Sequence, residues 1–174
     1  GASFTALGNS YVKPAISVSN NSNVDYRVSE STLKGSSLIS VENGSTLNAY
    51  GKIGTDTRGI RFKVDGTFNY ENTSSIDLNG STITGTFSAK SISFVSSTSK
   101  LSGGGVINAA GSVYVGSYLT ISDNATVKLT EGTGARQSQI VIEKSGKLTI
   151  SAKNAVSYQG GLANILVAGS RNDT

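Results

Sequence analysis

One short stretch of this 174-residue chain gathers charge: TDTRGIRFK, residues 55 to 63. If Ile60, Phe62 and Val64 alternate inward along a strand, Arg61 and Lys63 project together from the other face, with Lys52 and Arg58 in the connection before them. Cations held side by side on a fixed backbone suit a polyanion, so the stretch predicts contact with sulfated glycans or acidic lipid headgroups. The competing reading is a solvated face. Tyr114 and Tyr118, flanking Gly116, form a second candidate, an outward platform on which a sugar would stack.

Catalytic chemistry finds less material. The chain has no His and no Cys, so the usual nucleophile–base pairs, an ordinary zinc site and a disulfide framework are all excluded. Its eleven acids are scattered, none adjacent to another. A coiled chain would bring Glu42 near Asp65, or Asp123 near Glu143, on neighbouring turns, and such a pair is the minimum a glycosidase or lyase needs. Solvated turn residues are the simpler account of these acids. The nonapeptide calcium repeat is absent. We therefore expect a non-enzymatic protein with no metal and no cofactor. The net charge of +4 comes from fifteen basic residues spread from Lys13 to Arg171, unlike the concentrated basic face of a nucleic-acid binder. No nucleic-acid partner is expected. Six Asn-X-Ser/Thr triplets, at Asn20, Asn43, Asn72, Asn79, Asn124 and Asn172, fit chance in a chain this rich in those residues, and no function is assigned to them.

The elements that would position these residues are legible in the apolar pattern. Only 15% of residues are charged, Gly, Ser, Thr and Asn abound, and apolar residues alternate in short runs. That is a folded all-β pattern rather than a disordered one. LTISDNATVKL (119 to 129) and IVIEKSGKLTI (140 to 150) share almost no identities, yet both are apolar at places 1, 3, 9 and 11. The same template fits from 16, 39 and 60, and half fits from 76 and 93, giving a mean step of about 21 residues, which marks a repeat architecture. GTFSAK (85 to 90) and GSVYVG (111 to 116) suggest a further strand in each unit, with Phe87 and Ala89 matching Val113 and Val115. Turns are expected at Asn43-Gly44, Asp65-Gly66, Asn79-Gly80, Asp123-Asn124 and Ser145-Gly146.

Three short strands and three turns per unit match one coil of a parallel β-helix, whereas an antiparallel sandwich requires no constant period. Stacked coils also explain why pattern survives without identity, because a ladder position asks only for an apolar residue that fits the pleat. Residues 1–174 are thus expected to form a single β-helical domain, a β-solenoid of about seven coils, in which Val127 stacks on Leu148. With no initiator Met and no signal peptide, the chain reads as a piece of something longer.

ISVENGSTLNA, SGGGVINAAGSVYVGSYLTISDNATVKL and IVIEKSGKLTISA resemble passenger domains of Gram-negative autotransporters, and slightly less the filamentous haemagglutinin-like exoproteins of two-partner secretion. The resemblance covers about residues 15 to 155 and rests on repeat grammar and Ser/Thr/Asn/Gly bias. It implies a right-handed parallel β-helix at the bacterial surface or secreted, serving as adhesin or toxin and meeting a host-cell or bacterial receptor or glycan. It also implies a C-terminal membrane barrel domain, which this stretch lacks. The Gly-Asp-Ser-Gly type motif of the serine-protease autotransporters has no match here. The alternative function is a fragment of a β-helical carbohydrate-active enzyme, of lyase or tail-spike type.

Overall fold

The structure is a computed structural model and describes residues 2–12, 16–33, 38–53, 60–78, 80–94, 98–130, 139–142, 147–150, 156–159 and 164–167. Among these residues every regular element is a β-strand, and the strand pairings are parallel. A seven-stranded sheet is built from β2 (Ile16–Val18), β4 (Leu38–Val41), β7 (Arg61–Val64), β10 (Thr82–Ile83), β13 (Ser99–Leu101), β16 (Tyr118–Ile121) and β19 (Lys147–Ile150). A nine-stranded sheet runs through β1 (Ala2–Val12), β3 (Asn23–Leu33), β5 (Thr46–Ala49), β8 (Thr67–Tyr70), β11 (Thr86–Ala89), β14 (Val106–Ala109), β17 (Thr126–Thr130) and β20 (Val156–Gln159), with β6 (Lys52–Ile53) also paired to β3. Five strands complete the third sheet: β9 (Ser75–Asp77), β12 (Ser91–Phe94), β15 (Val113–Val115), β18 (Gln139–Ile142) and β21 (Asn164–Val167).

From β7 to β21 the chain visits the seven-, nine- and five-stranded sheets in strict rotation. Each strand therefore pairs with one three elements away, never with its neighbour in sequence, which is the topology of a parallel β-solenoid. The local reason is alternation between tight corners. In β7, Phe62 and Val64 are buried while Arg61 and Lys63 are exposed, and in β8 the burial of Phe68 and Tyr70 continues the same inward set. Left-handed backbone at Asn20, Asn21, Gly44, Gly103, Gly104 and Asp123 turns the chain between the seven- and nine-stranded sheets. Asn, Asp and Gly are the residues that enter this conformation most readily.

Inward residues stack into ladders. One runs Val24, Leu47, Phe68, Phe87, Ile107, Val127 and Val156, in steps of 19 to 29 residues. Phe68 and Phe87 stack with centroids 4.8 Å apart, and Phe62 meets both edge-on at 5.6 and 5.8 Å. Each fully buried ladder side chain of this kind contributes roughly 1.5 to 3 kcal/mol. Where the inward ladder of the seven-stranded sheet passes Ser81 and Ser99, hydroxyls replace apolar atoms. Ser81 Oγ accepts the Phe62 N–H at 3.0 Å, while Ser99 Oγ accepts the Ser81 N–H at 3.2 Å and donates to the Leu78 carbonyl at 2.8 Å.

The registers correct three expectations. Val127 does not stack on Leu148: it lies between Ile107 and Val156 in the nine-stranded sheet, whereas Leu148 pairs with Leu119 in the seven-stranded one. LTISDNATVKL spans the corner from β16 to β17, and IVIEKSGKLTI spans a different corner, from β18 to β19. Both corners join two alternating strands through a polar turn, so these two copies of the template match without marking equivalent places. For the same reason Phe87 pairs with Phe68 and Ile107, while Val113 pairs with Ile92 and Ile140 in the five-stranded sheet. The copies starting at 16 and 39 stack place on place. The copy starting at 60 is slipped by two at its first two places, where Ile39 pairs with Phe62 and Val41 with Val64, and in register at its last two, where Leu47 pairs with Phe68 and Ala49 with Tyr70. An even slip leaves every side chain on its expected face. Of the expected turns, Asn79 and Ser145-Gly146 lie outside the described residues.

Candidate functional site

Alternation on β7 puts Arg61 and Lys63 on the outer face of the seven-stranded sheet, both exposed, above a backbone held by buried Ile60, Phe62 and Val64. Lys63 Nζ stands 3.7 Å from Asp65 Oδ2 on the following turn, with the ammonium side chain 61% exposed. An exposed pair at that distance is weak and leaves Lys63 available to a stronger anion. Lys52 is elsewhere: it is half-buried on β6, in register with Glu30 of β3, and belongs to the nine-stranded sheet. Arg58 lies outside the described residues.

Stacking brings in two cations from far along the chain. The row containing Lys63 continues through Thr82 to Lys100 and Thr120. Lys63 and Lys100 are thus two strand spacings apart, about 9.6 Å along the axis. Lys147, opposite Tyr118, stands in the row of Arg61, two residues before Thr149 as Arg61 is two before Lys63. The described strands of this sheet contain four cations and no Asp or Glu. Lys100 and Lys147 were missed in the sequence. Their outward orientation was readable from buried Leu101 and half-buried Leu148, but their membership of the Lys63 face depends on which corner each strand follows.

Among the described acids, Glu42 and Asp65 hold the same place on adjacent coils, each directly after one of the paired residues Val41 and Val64. Asp25 accepts hydrogen bonds from Asn48 Nδ2 at 3.0 Å and from Arg27 at 3.1 Å, and these partners, Asn48 foremost, hold its carboxyl below the ordinary range. Arg27 in turn lies 3.9 Å above the Tyr50 ring. Asp65 Oδ1 accepts the Thr84 hydroxyl at 2.5 Å, and Asp123 Oδ2 accepts the Gly103 N–H and the Ser122 hydroxyl, each at 3.2 Å. Glu42 is exposed on the turn before that of Asp65, and Glu143 lies outside the described residues. Among the described residues no group of three or more acids is placed to hold a metal ion.

Tyr114 and Tyr118 are both exposed, but they leave the backbone from different sheets on either side of the Gly116-Ser117 corner. No family model, curated protein or solved structure matches the chain.

Proposed function

We propose that this chain is a segment of a bacterial surface-displayed or secreted solenoid, wound right-handed in about seven coils, that serves without catalysis as an adhesin or toxin scaffold. It meets an acidic receptor or glycan through the outer face of the seven-stranded sheet. The observation that supports this most is the sharing of rows by cations, Lys63 with Lys100 two strands away and Arg61 with Lys147 four strands away, on strands that contain no acid. A one-sign face attracts a polyanion over several ångströms and fixes where it settles. The seven strands of that sheet support the coil count, and the strong preference of parallel crossovers for one hand supports the winding. Likeness in repeat grammar to autotransporter passengers supports a place outside the outer membrane, with a membrane barrel in the full-length protein. The engagement of Asp25, Asp65 and Asp123 in side-chain and backbone hydrogen bonds, with Asp65 and Asp123 three coils apart along one edge and Asp25 on the nine-stranded sheet, supports a binding role over hydrolysis.

The test is binding to heparin-like glycans and to phosphatidylserine vesicles. Affinity falls from low to physiological salt, because exposed contacts are screened over ~8 to 10 Å. Replacing both cations, Arg61→Glu with Lys63→Glu, abolishes binding while leaving the melting temperature almost unchanged. A double variant that binds like the parent, or a parent that fails to bind at low salt, makes this face a solvated one and the segment a spacer.

A further inference from the structure

The corners between the seven- and nine-stranded sheets are not all the same length. Four residues, 42–45, link β4 to β5, and another four, 102–105, link β13 to β14. Between those two corners lie two that use only two residues each, Asp65-Gly66 and Thr84-Gly85. The short corners are drawn in tightly: the N–H groups of Asp65 and Gly66 both donate to the Val41 carbonyl, and those of Thr84 and Gly85 to the Val64 carbonyl. A Cβ on Gly66 or Gly85 would collide with carbonyl oxygens of the preceding coil, so the approach requires glycine. Two retracted corners between two protruding ones make a notch about 9.6 Å wide along the axis. Its volume is about 410 Å³, with the Asn43-Gly44 turn on one side. On the other side, a Cβ at Gly103 would stand 3.6 Å from the Thr84 methyl.

We propose that this notch binds one or two rings of a neutral saccharide, independently of the cation face. The lining is hydroxyl and carboxylate rather than apolar: Thr67 and Thr86 stand in adjacent places of one row, with Asp65 and Thr84 at the short corners. The volume lies in the range of small-ligand sites. The Asp65 carboxylate is already matched by Lys63 and Thr84, so a cation is not demanded, yet each of its oxygens can accept a further bond. Threonine hydroxyls both donate and accept. Vicinal hydroxyls of a pyranose supply the complementary set, whereas an apolar ligand would find nothing to cover it and would strip water from the polar floor.

The test is amide chemical-shift mapping of the whole chain against a panel of unsulfated oligosaccharides built from hexoses and N-acetylhexosamines. At least one member shifts Gly66, Thr67, Gly85 and Thr86, with an affinity that does not change between low and high salt. Asp65→Asn weakens it about tenfold, the loss of one charge-assisted hydrogen bond, and Thr67→Val with Thr86→Val removes it. Both variants keep heparin-like binding, since Asp65→Asn only frees Lys63, so failure of this site and failure of the cation face are read separately. If no neutral member shifts those amides, or if Asp65→Asn binds the sugar as the parent does, the notch is not a saccharide site.

Discussion

The rings of Phe68 and Phe87 lie within 5° of parallel and 4.8 Å apart, on adjacent strands of the nine-stranded sheet. With Phe62 set edge-on against both, they fill the solenoid interior directly behind the notch corners. Their neighbours along the ladder are Leu47 and Ile107, which cannot swing into a vacated ring volume without leaving their own strands. Phe68→Ala should therefore cost about 3 to 5 kcal/mol, the usual range for a buried aromatic truncated to alanine. Urea denaturation measures it, and a loss under about 1 kcal/mol would mean that this core collapses readily around a void.

Two buried serines should respond in opposite ways. Ser81→Ala strands the buried Phe62 N–H, whose acceptor is the Ser81 hydroxyl, and should destabilise by about 1 to 3 kcal/mol. The Ser45 hydroxyl, by contrast, is buried without a hydrogen-bond partner. Ala125 fills the matching place before β17. Ser45→Ala should be neutral or stabilising by up to about 1 kcal/mol. Equal losses from both in the same urea titrations would show that serine packing, not hydrogen bonding, matters at these corners.

Asp25 offers a titration. Its carboxyl is held below the ordinary range first by Asn48 and then by Arg27. A depressed folded value means that the carboxylate stabilises the fold above the unfolded value, and that this contribution is lost as pH falls through the folded one. Being partly exposed, it contributes little to total stability, so the readout is the titration itself. Carbon-detected NMR should place the Asp25 midpoint below that of an unstructured aspartate, and Asn48→Ala should move it upward. An unmoved midpoint would assign the shift to Arg27 alone.

Much of this was readable from alternation. Ile60, Phe62 and Val64 inward with Arg61 and Lys63 outward follows from a period of two, and burial agrees residue by residue. Turn chemistry at Asn43-Gly44 and Asp123-Asn124 placed corners correctly. What alternation does not carry is the identity of a corner. Val127 and Leu148 have the same local surroundings in sequence but face the interior from different sheets, because strand–turn–strand occurs at every corner of a coil. Lys100 was hidden for this reason. The notch was hidden for another: the two short corners are visible as Asp65-Gly66 and Thr84-Gly85, but they form a recess only because stacking sets them between two longer ones.

Lys100 and Lys128 allow the most direct comparison. Both are exposed, both face outward from regular strands, and they differ in the sheet they decorate: Lys100 shares a row with Lys63, and Lys128 stands beside Asn108 on the nine-stranded sheet. Lys100→Glu and Lys128→Glu change net charge equally and touch no core contact. Titration of heparin-like glycan at low salt should show Lys100→Glu weakening binding at least several-fold while Lys128→Glu stays close to the parent. Equal weakening by the two would reduce the interaction to net charge, and would contradict an acidic ligand held by the seven-stranded face.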